Sequence, residues 1–259
     1  MIRKLYTIVQ SLKMQNNKCW SVLYKINKII INLIYPITAK FNKRIGIDKD
    51  SKVIVSLTTH PTRIKTVWIT IASLLSQTYK PAKVLLYLSN EQFSSGFNDL
   101  PKNLLRLQKR GLDIVLVDDD LKPHKKYFYS FKDYKDKLVI TTDDDIFYPE
   151  NMIEELVRAS EKYPDAVICS RSHRIQLVDS DGNKQFAPYS TWNNNTTQEP
   201  EMLTLAVGCN GILYRPGLFD DELFNICFNF KCYYYSSSSS RRTSNDDYFS
   251  TFIQYEKNA

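Results

Sequence analysis

From about residue 52 the apolar positions alternate between two spacings. Val53-Ile-Val-Ser-Leu-Thr58 is a short uncharged run, as expected of a strand buried on both faces. Ile64, Val67, Trp68, Ile71, Leu74 and Leu75 then fall at helical spacing, and Pro81 closes that segment. Residues 84–88, 113–117, 138–142 and 166–169 read as further strands. Between them, 100–110 reads as a helix ending at Gly111, 124–135 as another, and a third begins at Pro149 with Met152, Ile153, Leu156 and Val157 on one face. Such alternation predicts an α/β domain with a mostly parallel sheet and right-handed crossovers. Ligands of such sheets bind beyond the carboxyl ends of the strands. Residues 58–63, Ser89, residues 118–120 and residues 143–145 all lie at such ends, so four polar clusters should converge on one rim.

After residue 170 the alternation stops. Residues 174–178 and 184–186 flank a hairpin-like turn, Asp179-Ser-Asp-Gly-Asn183. A strand over 205–214, a helix near 218–229 and a last short helix over 243–255 are expected, with a mobile low-complexity loop at 233–240. There is no internal repeat.

The strand at 138–142 runs directly into Asp143-Asp-Asp145. Adjacent carboxylates repel, so either solvent or a cation must offset them. On an extended segment Asp143 and Asp145 share one face while Asp144 points elsewhere. Two neighbouring carboxylates suit Mg²⁺ or Mn²⁺, which keeps several waters and borrows oxygens from a diphosphate. The alternative is a solvated acidic turn.

Charge refines the domain picture. Residues 1–50 hold ten Lys or Arg and two Asp, a net of +8 against +7 for the whole chain, so the main domain is near neutral. Nucleic-acid binding is therefore disfavoured. Ile26, Ile30, Leu33 and Ile37 mark one helical face in this basic segment, with Pro36 expected to end or kink the helix. The longest apolar run, 29–35, is interrupted by Asn32 and falls far short of the ~20 residues of a membrane span. A signal peptide fits poorly, because no small-residue cleavage site follows. Residues 1–51 thus read as a basic amphipathic helical segment preceding a domain at 52–259. Its face meets either an anionic membrane surface or protein, the latter being its own domain or a partner. Cys19, Cys169, Cys209, Cys227 and Cys232 lack metal-site spacing and read as reduced thiols of a cytoplasmic protein, peripheral on the inner face of the cell membrane in the first case.

VIVSLTT followed by Arg63, SLLSQTYKP, DDDLKPHKKYFY and VITTDDDIFYPENM together resemble the inverting GT-A glycosyltransferases, the family-2-like bacterial enzymes of surface polysaccharide synthesis. The resemblance covers about residues 52–216 and partly returns at TSNDDYF, residues 243–249. It implies a GT-A fold, Rossmann-like, with helices on both faces of the sheet. It also implies a nucleotide-diphosphate sugar donor, UDP-linked by the same resemblance, and a glycan or lipid-linked acceptor. Asp143 and Asp145 would match the metal-holding DXD motif, with Asp143 and Asp144 at the donor. Thr58, Thr59 and Arg63 would lie near the nucleotide, Lys126 near the donor phosphates, and Asp118 on the same site. Asp246 and Asp247 match the acidic pair carrying the base, Asp247 the better of the two. Each has a plainer alternative: Arg63 as a first-turn helix residue, Lys126 as a surface cation beside Lys125, Asp118 as a strand end, Asp247 as the acid of a helix N-terminus capped by Ser244.

KCYYYSSSSSRR departs from the family, and the chain ends twelve residues after Asp247. A degraded C-terminal part would leave a nucleotide-sugar-binding or assembly protein without transfer. A sugar-phosphate nucleotidyltransferase would need a Gly-rich loop after the first strand, where Thr58-Thr-His-Pro61 stands. Neither a phosphate loop, a GxGxxG fingerprint nor a GxSxG elbow occurs. His60, His124 and His173 lack metal-ligand spacing, and Trp192 reads equally as a platform for an acceptor sugar or as a core or lid aromatic.

Overall fold

The computed structural model describes residues 18–180, 183–194, 199–219 and 221–224. Among these the strands are β1 (Val53–Thr58), β2 (Lys83–Ser89), β3 (Leu112–Val117), β4 (Leu138–Thr141), β5 (Ile168–Cys169), β6 (Ser172–Arg174), β7 (Leu177–Ser180), β8 (Asn183–Phe186), β9 (Asn193–Asn194), β10 (Thr204–Ala206) and β11 (Ile212–Tyr214). The α-helices are α1 (Lys18–Phe41), α2 (Val67–Leu74), α3 (Lys102–Leu105), α4 (Lys125–Asp133) and α5 (Met152–Lys162).

The central sheet has the order β3-β2-β1-β4-β11-β5. Its first four strands are parallel, with Val55 opposite both Val84 and Ile140. β11 is antiparallel to β4 and to β5. Alternate side chains enter opposite cores, as the period of two requires. Val53, Val55, Leu57, Leu86, Ile140 and Leu213 face a core shared with α2, α5 and part of α1. Ile54, Leu85, Tyr87, Val139, Ile212 and Tyr214 face the other, which Phe131 of α4 helps to close. This is the expected α/β class, with a mostly parallel sheet covered on both faces.

Several elements differ from the sequence reading. The segment at 100–110 is one turn of α-helix followed by a 3₁₀ stretch, Arg106–Arg110. The helix expected from Pro149 begins at Met152, whose N–H reaches the Pro149 carbonyl at 3.4 Å. The strand expected over 205–214 is two strands: β10 belongs to a separate sheet, β10-β6-β9, and β11 to the central one. Between them Asn210 (φ 75°) and Gly211 (φ 94°) turn the chain. Gly211 suits that left-handed backbone, and a Cβ there would approach Met152 Sδ to 3.0 Å. The hairpin forms from β7 and β8, with Leu177 opposite Phe186. At 218–229 only the 3₁₀ turns Pro216–Leu218 and Asp221–Phe224 fall within the described residues. The loop at 233–240 and the helix at 243–255, with Asp246 and Asp247, lie outside them.

Helix α1 continues through Pro36 to Phe41 instead of ending there. Among its described side chains Tyr35 and Ala39 face inward, both buried. The Tyr35 ring meets Phe147 edge-on at 4.5 Å, and Lys40 Nζ lies 5.9 Å from the Trp68 ring centre. Ile26, Leu33 and Ile37 of the expected apolar face are exposed, so among the described residues that face does not pack on the chain's own domain.

The connection after α1 is locked by backbone contact. Gly46 N–H donates to the Arg110 carbonyl at 2.8 Å, and Arg110 donates to the carbonyls of Arg44 (3.0 Å) and Leu75 (2.8 Å). A Cβ on Gly46 would stand 2.3 Å from the Leu75 carbonyl oxygen, where no rotamer change relieves the clash. Gly46→Ala should therefore cost ~3 kcal/mol, at the upper end for overpacking. In thermal unfolding that is a fall of about 6–12 °C for a domain of this size, and an unchanged midpoint would show that the junction yields freely.

Candidate functional site at the carboxyl end of the sheet

β4 hands the chain to the acidic triplet at the carboxyl edge of the sheet, between the ends of β1 and β11. Asp144 turns inward and is buried. Its carboxylate accepts from Thr59 Oγ1 at 2.5 Å and from Arg63 Nη1 at 2.7 Å, while its carbonyl accepts from Thr70 Oγ1 at 2.9 Å. Asp143 and Asp145 remain partly open to solvent, at 33% and 50% side-chain exposure. Lys126 Nζ donates to Asp143 Oδ1 at 2.7 Å, and Arg63 Nη1 lies 3.0 Å from Asp145 Oδ2. The expected division thus appears, with one acid facing the protein and two facing out.

The fold imposes this geometry. The Asp143 N–H donates to the hydroxyl of Tyr148, a fully buried ring that folds the loop back on itself. Burial pushes the Tyr148 phenol well above its ordinary range, so it stays neutral beside the carboxylates. Arg63 sits in the turn preceding α2 and reaches across to two acids. The Asp144 hydrogen bond, then the charges of Asp144 and Asp145, raise its guanidinium above its usual value. Ser56 Oγ of β1 donates to the Lys126 carbonyl and ties α4 to the sheet beneath this corner.

Three carboxylates meet two fixed cations here, which leaves one net negative charge. Asp143 Oδ2 and Asp145 Oδ1 have no protein partner among the described residues. Two such hard oxygens suit a divalent ion completed by water and phosphate oxygens. Among the described residues no group of three or more His, Cys, Asp or Glu side chains is placed to hold a metal ion. The donor set therefore fits a cation shared with a substrate better than a structural ion.

The other anticipated residues divide. Thr59, Arg63 and Lys126 converge on the acids. Thr58 instead donates to the Tyr87 carbonyl at 2.8 Å, linking β1 to β2. Asp118 accepts from Asn90 Nδ2 at 2.7 Å at the ends of β3 and β2, on the same rim but beyond β1 from the triplet. Lys126, whose plainer alternative was a surface cation, is the lysine turned to the acids; its neighbour Lys125 is buried at 2% exposure. Lys125 donates to Asp120 Oδ1, and Lys122 (2.5 Å) and Gln92 (2.8 Å) donate to Asp120 Oδ2. Burial alone would raise the Asp120 carboxyl, but the hydrogen bonds from Lys122 and Lys125 outweigh it and hold the group below its usual range. Trp192 donates through Nε1 to the Ala187 carbonyl and packs with Ile175, so it belongs to a small core and not to an open platform. His60 contacts Thr62 and His124 contacts Tyr127, each at hydrogen-bond distance.

Gly208 is a site residue the sequence pattern missed. A Cβ there would lie 3.5 Å from Asp143 Oδ1 and 3.9 Å from Lys126 Nζ, so the β10–β11 turn forms a wall of the acidic corner. The signal was present in Gly208-Cys-Asn-Gly211, a composition that breaks strands.

No known family model matches the chain, and no curated protein matches it. Among solved structures it is similar to S. aureus TarS, residues 1–349, in complex with UDP-GlcNAc, at 17% identity and a TM-score of 0.39. That match covers 66% of this chain, which spans 46% of the other.

Proposed function

We propose that the chain is a metal-dependent inverting glycosyltransferase, taking a sugar from a nucleotide-diphosphate donor to a glycan or lipid-linked acceptor. A UDP-linked donor and a role in bacterial surface polysaccharide synthesis follow from the sequence resemblance. The observation that carries the reading is the corner itself: two open carboxylates beside Arg63 and Lys126, at the carboxyl ends of parallel strands. Mg²⁺ or Mn²⁺ at Asp143 and Asp145 would supply Lewis-acid neutralisation of the departing diphosphate. Lys126 and Arg63 add fixed positive charge beside the same oxygens, preorganised by Asp143, Asp144 and Asp145, so little reorganisation accompanies reaction. Asp144, itself hydrogen-bonded by Thr59, holds Arg63 in that pose. Asp247, with Asp246 beside it, is assigned as the base that takes the acceptor hydroxyl proton while the oxygen attacks the anomeric carbon.

The direct test is a thermal-shift series with nucleotide-diphosphate sugars, each with and without Mn²⁺. A ligand that binds only the folded state must raise the melting temperature, by RT ln(1 + [L]/Kd) in free energy. At least one donor should stabilise the protein only when Mn²⁺ is present. Metal-independent responses throughout, or none, would overturn the proposal.

A further inference from the structure

We propose that helix α1 docks the protein on an anionic lipid bilayer surface. Val22, Ile26, Ile29, Leu33, Ile37 and Phe41 recur at three- or four-residue spacing and are 47–77% exposed. At 1.5 Å per residue this stripe is about 28 Å long. Tyr35 and Ala39, roughly opposite, hold the helix against the core. A soluble surface rarely exposes so continuous an apolar band. No described helix is long and apolar enough to cross a membrane, so the band suits a helix lying in the interface plane.

Charge identifies the occupant. Residues 1–47 contain nine Lys or Arg and no Asp or Glu. Lys25, Lys43 and Arg44 are exposed. Ile37, Phe41, Asn42, Lys43 and Arg44 help to line a shallow open depression of about 660 Å³ at the end of the helix. Apolar and cationic groups side by side match an anionic headgroup above acyl chains. A second copy would bring the same basic surface against itself in a two-fold pairing, which like charges oppose.

The helix grips Phe147, two residues beyond Asp145. Docking α1 therefore holds the acidic corner near the bilayer, and on the transferase reading this favours an acceptor anchored in lipid. The docking itself does not depend on that reading.

Flotation of the full chain with vesicles tests it, without nucleotide or metal. The chain should float with phosphatidylcholine–phosphatidylglycerol vesicles at least tenfold more than with phosphatidylcholine alone. Leu33→Glu with Ile37→Glu, and separately Lys43→Glu with Arg44→Glu, should each lower that binding at least tenfold. Absence of wild-type flotation overturns the proposal, as does binding unchanged in folded variants. A wild-type dimer that Leu33→Glu with Ile37→Glu converts to monomer overturns it too. Leu33→Trp keeps the test decisive should the charged variants misfold. Its added fluorescence should be quenched by bromine-labelled acyl chains, and unquenched emission overturns the proposal. Transferase failure would show in the thermal-shift series, which contains no vesicles.

Discussion

Asp145→Asn is expected to lower transfer roughly 10²–10³-fold while leaving the melting temperature within about 2 °C of wild type. The two halves of that expectation have separate physical origins. Asp145 is half exposed and shares Arg63 with Asp144, so neutralising it strands no buried charge. On the proposed function, the divalent ion that Asp145 would help to hold would neutralise charge at the diphosphate by an amount of the order of 3–4 kcal/mol, and 1.36 kcal/mol is a factor of ten in rate. Asp143→Asn should behave similarly in transfer, with Lys126 left unbalanced. Asp144→Asn should invert the pattern by destabilising the fold, because that carboxylate is buried and anchors Arg63, Thr59 and the loop. Steady-state kinetics with a responsive donor, paired with thermal melts, checks all three. Full activity and an intact metal-dependent shift in Asp145→Asn would remove the basis of the assignment.

Asp120→Asn should be the most destabilising of the conservative changes on the rim, by ~3–5 kcal/mol, or about 6–20 °C in melting temperature. It removes the carboxylate facing Lys125, which is almost wholly buried. Lys125→Met should cost less, because Asp120 keeps Lys122 and Gln92. The same pair sets an acid limit. The Asp120 carboxyl lies below its ordinary range when folded, so its contribution is complete above the unfolded value near 4 and is lost as pH falls through the folded value. Urea unfolding from pH 6 to 3 should show a decline in wild type that is shallower in Asp120→Asn. Equal slopes would mean that the pair contributes nothing in acid.

The first four strands were legible because each carries a short, mostly apolar run, and helices alternate between them; the two charges, Lys83 and Asp113, pair at the exposed edge formed by β2 and β3. Asp144 does point away from Asp143 and Asp145 as the two-residue period suggested, but the chain bends at Asp144 and Asp145, so the contacts of Thr59, Arg63 and Thr70 and not an extended backbone turn it inward. What escaped the sequence depended on contacts distant along the chain. Lys125 and Lys126 are indistinguishable in composition, yet α4 points one into Asp120 and the other toward Asp143. The apolar run at 205–214 read as one strand because its apolar residues outweighed Gly208, Asn210 and Gly211, the residues that divide it between two sheets. The helical face at Ile26, Leu33 and Ile37 was a correct periodicity, but Tyr35 and Ala39 provide the packing. Asp246 and Asp247 rest on the sequence resemblance alone.

The insertion of β11 between β4 and β5 bears on how the molecule is made. Val139, Ile140 and Thr141 find their second neighbours only in Tyr214, Leu213 and Ile212, some 70 residues later. At ~5–20 residues per second a ribosome needs about 4–15 s to cover that distance. Throughout that interval the nascent chain presents an apolar, unpaired edge, the kind of surface on which chaperones act and strands misassociate. Gly208 emerges just before β11, so the acidic corner gains its last wall only as the sheet closes.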